Sequence, residues 1–225
     1  MKYMKLVTNT ILVCLFVFIG MKNGISQKKP NYWDDIQAIK QYDKIYAPPK
    51  DPILFTGSSS FRLWHNMSDM FRGYKVLNRG IGGAVISDID RYVEDIIVPY
   101  HPKQIVLYIG ENDIVTASSG DSIFIAFQQL YQHIRAVLPE VPIVYVSIKP
   151  SPSREKYLPI AERVNSLISN FLKLERQIVY VDIYSPMLDK NGRTRPELFG
   201  TDMLHMNADG YRLWYKRIKP LLVKN

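Results

Sequence analysis

Cysteine is almost absent. The 225-residue chain has one, Cys14, which excludes an internal disulfide and any cysteine-built metal cluster. Histidine is scarce as well, with four in all. Neither His-x-His nor His-Glu-x-x-His spacing occurs, so no zinc site is expected. The longest N-terminal apolar run, Ile11 to Ile19, has nine residues, too few to span a bilayer. Dense Lys/Arg runs with interleaved aromatics are missing too. The formal charge of +8 therefore comes without a nucleic-acid-binding patch. Acidic residues are lacking from residues 1–26, which hold Lys2, Lys5 and Lys22; without those three lysines the charge falls to +5.

That acid-free segment has its own layout. A positive end is followed by the apolar run, and Gly24-Ile25-Ser26 then places small residues ahead of Gln27. This is the pattern of a secretory signal peptide. It predicts removal of residues 1–26 and export of a single domain, 27–225, to the periplasm or medium of a bacterium. Bulky Leu12 and Val13 before Cys14 argue against a lipid anchor. With 47% hydrophobic and 22% charged residues, the remainder suits one globular core.

Along the chain, apolar β-prone runs alternate with helical spacing. Residues 31–47 read as a helix stopped by Pro48-Pro49. A buried strand from Ile53 breaks at Gly57, and after three serines a helical pattern starts at Phe61. Further strands are expected at 74–78, 104–109, 142–148 and 177–183, and helices at 87–99, 121–138 and 155–175. Asn191-Gly192 marks a tight turn, and Asn207 caps a last helix. Five short, continuously apolar strands, each followed by helical spacing, predict a three-layer α/β fold. Its five-stranded parallel sheet would be covered on both faces.

Three strand ends close on unusual turns: Gly57-Ser58-Ser59-Ser60, Gly80-Ile81-Gly82-Gly83 and Gly110-Glu111-Asn112-Asp113. A parallel sheet brings them to one edge. There they offer a hydroxyl, backbone N–H groups without a Cβ, and a side-chain amide, all of use in acyl transfer. A base must come from a histidine. His133 is offset from its helix's apolar face and reads as solvated. His101 enters the third strand at the opposite end of the sheet, and His65 reads as surface. His205 lies in the loop before the last helix, with Asp202 three residues ahead of it. One segment can thus supply both a base and the group that orients it. Gly-x-Ser-x-Gly and phosphate-loop patterns are absent. The Ser-x-x-Lys at Ser153–Lys156 has no companion motif and reads as chance. The loop from Lys149 to Arg154 should border the cleft, where its cations could meet an acidic sugar, though it reads first as a solvated loop.

Together these blocks resemble the SGNH hydrolases, or GDSL esterase/lipase family, from about Ile53 to the last helix. Gly57-Ser58-Ser59 matches the Gly-Asp-Ser block, Asn78 to Gly83 the glycine block, Gly110 to Asp113 the Gly-x-Asn-Asp block, and Asp202 to His205 the Asp-x-x-His block. The resemblance implies a flavodoxin-like sheet with no cofactor or metal. It implies Ser59 as nucleophile, His205 as base and Asp202 as its orienter. The oxyanion hole would be formed by the N–H groups of Ser59 and Gly83 and the Asn112 amide. Ser58 stands where the family has Asp, and Ala84 where an Asp often follows the glycines. Gly-Ser-Ser-Ser followed by Arg-Leu-Trp is similar to a bacterial branch near acetylhydrolases. An exported chain without a lid-like apolar insertion suggests short-acyl esters of small-molecule or glycan alcohols as substrates, with lipid esters second and a non-catalytic glycan-binding module as the alternative of a different class. No nucleic-acid partner and no stable membrane insertion are expected.

Overall fold

The computed structural model describes residues 29–117 and 119–224. The chain divides into residues 1–30 and a unit from Asn31 to Asn225, and everything below belongs to the second. The signal-peptide reading of residues 1–26, Cys14 included, lies outside the described residues.

The sheet consists of β1 (Ile53–Gly57), β2 (Val76–Gly80), β3 (Gln104–Tyr108), β4 (Ile143–Val146) and β5 (Ile178–Val181). All neighbours are parallel, in the order β2-β1-β3-β4-β5, the flavodoxin-like order. Every residue of β1 and β3 is buried, because side chains of alternate residues enter cores on opposite faces. On one face Leu54, Ile105, Leu107 and Tyr145 meet Phe127, Leu130, Val164 and Ile168 of helices Gly120–Val137 and Leu158–Leu172. On the other, Phe55, Val106, Tyr108 and Val144 meet Phe61, Trp64, Phe71 and Trp214. This second core is aromatic: Trp64 stacks on Tyr211 at 4.9 Å, and Tyr108 meets Trp214 edge-on at 4.7 Å. It backs the turn that carries the serines, and the Tyr211 hydroxyl donates to the Ser60 carbonyl at 2.9 Å.

The final helix, Ala208–Ile218, is capped by Asn207, whose Oδ1 accepts from the N–H groups of Asp209 and Gly210. The tight turn at Asn191-Gly192 is present, with Gly192 at φ 77°. Several boundaries differ from the sequence expectation. The first helix is Trp33–Ile45. β2 starts two residues late, because the Tyr74 N–H is held by the Phe71 carbonyl in a turn. It then continues through Asn78, Arg79 and Gly80, which pair with β1. The helix expected at 87–99 is Ile86–Arg91 and Val93–Ile96, followed by a 3-10 turn at Val98–Tyr100. Its break falls at Tyr92, whose hydroxyl donates to the Asn31 carbonyl at 2.7 Å. The helix expected from Phe61 is a single turn, Ser59–Arg62, with another turn at Met67–Met70. The helix expected from 155 starts at Leu158, after a 3-10 stretch at Pro152–Tyr157. Among the described residues, no helix is long and apolar enough to cross a membrane.

Candidate active site

β1 ends on Gly57, at φ 129°, where a Cβ would stand 1.9 Å from the Tyr108 carbonyl oxygen. Only glycine lets the ends of β1 and β3 approach so closely. The chain then turns at once from strand to helix, and Ser59 is left 9% exposed at the C-terminal edge of the sheet. From the other side comes the loop before the last helix, drawn into a hairpin by an antiparallel bridge between Phe199 and Met206. Met203 sits at its tip with φ 52°. Asp202 Oδ1 accepts the N–H groups of Leu204 and His205, each at 2.9 Å. Its Oδ2 lies 2.6 Å from His205 Nδ1, and His205 Nε2 lies 2.9 Å from Ser59 Oγ. Ser59, His205 and Asp202 thus form one hydrogen-bonded line across 146 residues of sequence. Burial opposes charge on Asp202, but the two N–H groups and the imidazole outweigh it and hold the carboxyl down at about 2. A carboxylate there accepts a hydrogen bond from Nδ1–H, which leaves the Nε2 lone pair facing the serine hydroxyl.

The opposite wall carries donors. The N–H groups of Ser59 and Gly83 have no partner among the described residues. Asn112 Nδ2 uses one hydrogen on the Ala84 carbonyl at 2.9 Å and retains the other. Ser59, Gly83, Asn112 and His205 line one cleft of about 410 Å³, together with Tyr32, Asp35, Arg62, Gly82, Arg154 and Leu204. The three turns expected at one edge do converge there. His101 lies at the opposite edge, entering β3, and His65 is exposed. His133 is not simply solvated: its Nδ1 lies 2.9 Å from Asp90 Oδ1.

The GDSL-like lipase/acylhydrolase family model matches residues 50–213. The chain belongs to this family. It is therefore a carboxylic ester hydrolase. No curated protein matches the chain, whereas solved structures do. A Streptococcus pneumonia protein provisionally described as a platelet activating factor superposes with TM-score 0.74 at 22% identity, covering 84% of this chain and 92% of that one. A GDSL-like lipase from Bacteroides thetaiotaomicron gives 0.69 at 20% identity, over 83% and 96%. A family 3 carbohydrate esterase from Clostridium thermocellum gives 0.61 at 17%, over 77% and 97%. At such identities the likeness is one of fold.

This GDSL-like hydrolase also holds a buried charge network that the sequence reading missed. Glu111 is 2% exposed. Its carboxylate takes the Lys149 ammonium, the Tyr108 hydroxyl at 2.8 Å, the Ser151 hydroxyl at 3.0 Å and the Ser60 hydroxyl at 3.5 Å. Burial raises its pKa, but Lys149 and Arg154 beside it prevail and hold the group below its ordinary value. The loop expected to be solvated is therefore anchored instead: Lys149 and Ser151 are each 1% exposed. Arg154 spans the network and the cleft. It donates to the Glu111 carbonyl, and its Nη2 donates to Asn112 Oδ1 at 2.9 Å. Ser58, at the family's Asp position, has a buried hydroxyl with no partner among the described residues. Ala84 instead contributes its carbonyl to Asn112. Tyr32 was also missed; it is left-handed at φ 61°, and its hydroxyl lies 3.0 Å from where a Cβ on Gly83 would be. A lysine closing an apolar strand was the one available signal for the network. Tyr32 gave none.

Proposed function

We propose that this esterase is exported and removes short acyl groups, acetyl above all, from the alcohols of carbohydrates. The observation that carries the substrate class is the cleft itself. It is about 410 Å³, and apart from the Tyr32 ring and Leu204 its lining is glycine or polar. An acetyl group fits such a space, whereas a long acyl chain would find little apolar surface to cover it. The carbohydrate esterase among the fold neighbours supports a sugar alcohol. The layout of residues 1–26 supports export.

In this mechanism His205 takes the Ser59 proton as Oγ bonds to the ester carbonyl carbon. The oxyanion is held by the N–H groups of Ser59 and Gly83 and by the Asn112 amide. Collapse breaks the bond to the alcohol, which leaves with the proton from His205. Water, deprotonated by the same imidazole, then releases the acid and restores Ser59. Hydrolysis of p-nitrophenyl esters of rising chain length, by wild type and Ser59→Ala, tests the reading. Acetate activity that falls steeply by octanoate and is lost in the variant is expected.

A lipid-ester reading has one observation of its own. An apolar groove of about 620 Å³, lined by Leu63, Met70, Met206 and Tyr211 among others, lies on the same part of the fold. It shares no lining residue with the cleft at Ser59, which is why short esters are favoured. Octanoate hydrolysed faster than acetate would reverse that order.

A further inference from the structure

Arg62 stands three residues after Ser59 on the same helical turn and lines the same cleft. Its guanidinium lies against Gly82: a Cβ there would be 2.6 Å from Nε and 3.0 Å from both Cζ and Nη2. Gly82 does not have a positive φ, so the turn itself would tolerate another residue. What a side chain there would displace is the end of the arginine. The guanidinium of this exposed residue thus lies along the cleft wall, and it has no hydrogen-bond or ion-pair partner among the described residues. The cleft's other arginine is different, since Arg154 is taken up by Glu111 and Asn112. Against these two cations the lining has one carboxylate, Asp35.

A positioned, unpaired guanidinium recognises planar or tetrahedral anions through paired N–H donors. An acetyl group carries no charge, so on the short-acyl reading above the anion must belong to the alcohol half of the ester. We propose that Arg62, seated on Gly82, forms an anion subsite, and that the natural substrate is an acyl ester whose alcohol carries a carboxylate or a phosphate. Both anions share the chemistry that Arg62 reads, and the assay separates them.

Two matched pairs serve as probes: O-acetylated methyl glucuronoside against O-acetylated methyl glucoside, and acetylglycerol phosphate against acetylglycerol. Wild type is expected to favour the charged member of one pair by about ten- to a hundredfold in kcat/KM, the range of a charge-assisted hydrogen bond. The pair that shows the preference identifies the anion. The ratio should fall toward one in Arg62→Ala, keep part of its value in Arg62→Lys, and shrink in salt of about 0.5 M. Gly82→Ala, which unseats the guanidinium without removing it, should lower the ratio too. A ratio near one for both pairs in wild type, or one unchanged in Arg62→Ala, overturns the proposal.

Hydrolysis of none of these esters, nor of p-nitrophenyl acetate, would instead overturn the short-acyl reading. Calorimetric titration of Ser59→Ala protein with the same pairs would then decide the subsite without turnover. Tighter binding of a charged member, lost on adding Arg62→Ala, supports it, and equal binding refutes it.

Discussion

Arg154 touches no atom that reacts, yet its removal should slow the reaction, because the Asn112 amide is oriented by two hydrogen bonds. Nδ2 donates to the Ala84 carbonyl at 2.9 Å, and Oδ1 accepts from Arg154 Nη2 at 2.9 Å. Losing a whole oxyanion donor costs about 10²–10³ in kcat. Arg154→Ala keeps the donor but removes one of its two fixings, a charge-assisted bond of about 1.5–3 kcal/mol. It also removes the cation that leaves the Glu111, Lys149 and Arg154 cluster net positive behind the hole. The expected loss is about 10- to 100-fold in kcat, below that of Asn112→Ala, with KM changed by no more than about threefold. Steady-state kinetics on p-nitrophenyl acetate would be run for wild type, both single variants and the double variant. If Arg154 acts through Asn112, its substitution should cost under about threefold once Asn112 is alanine, since coupled residues are not additive. A loosened fold would instead slow the Asn112→Ala protein by the full factor again. That additive result, or an unimpaired single variant, refutes the reasoning.

Two stability predictions follow from the buried charges. Lys149→Met leaves the Glu111 carboxylate buried without its closest cation, a change that costs about 3–5 kcal/mol in comparable pairs. Urea unfolding should show this as a lower midpoint, and adding Glu111→Gln should recover part of the loss; equal midpoints for wild type and Lys149→Met would count against the pair. Asp113 accepts the Ile86 N–H at 3.1 Å, and burial, with repulsion from Asp88, pushes its pKa from the ordinary 3.8 up to about 6. A raised carboxyl pKa means the folded protein holds a proton that the unfolded chain releases, so this contribution to stability is lost as pH rises from about 4 through about 6. The ceiling is about 3 kcal/mol, and the solvent that still reaches this partly buried carboxyl reduces it to about 1–2 kcal/mol. Asp113→Asn should therefore gain on wild type between pH 4 and pH 7.5 in urea titrations, and a difference that does not change with pH would refute this.

The sheet was legible because buried parallel strands have no wet face. β1 and β3 read as continuous apolar runs, and their surroundings are apolar on both sides. β2 was misplaced by two residues for the same reason. Its second half, Asn78-Arg79-Gly80, looks like a turn in composition, and it is strand only because Phe55 to Gly57 pair with it. The helix after the serines was overextended because Phe61 and Trp64 have helical spacing. They are apolar for another purpose: both enter the aromatic core with Phe55 and Trp214, and the chain leaves helical geometry at Leu63.

The residues brought together at the cleft divide along a physical line. Ser59, Gly83 and Asn112 lie where strands end, and a parallel sheet sends every strand end to one edge, so topology alone places them together. Asp202 and His205 add a local signal, since a carboxylate can brace a histidine three residues away within one loop. Arg154, Lys149 and Glu111 have no such backbone logic. Lys149 and Glu111 are 38 residues apart and meet through side chains alone. Composition suggested solvent for the lysine, because an isolated cation beside prolines normally stays wet. What reverses that expectation is a single buried carboxylate at the variable position of Gly-x-Asn-Asp. Once Glu111 is ionised in the interior, a cation must be buried with it, and the loop that supplies Lys149 also supplies Arg154 to the amide of Asn112. The glutamate beside Asn112 thus accounts for both the buried lysine and the arginine that holds the Asn112 amide, which makes it the residue to read first in a chain of this kind.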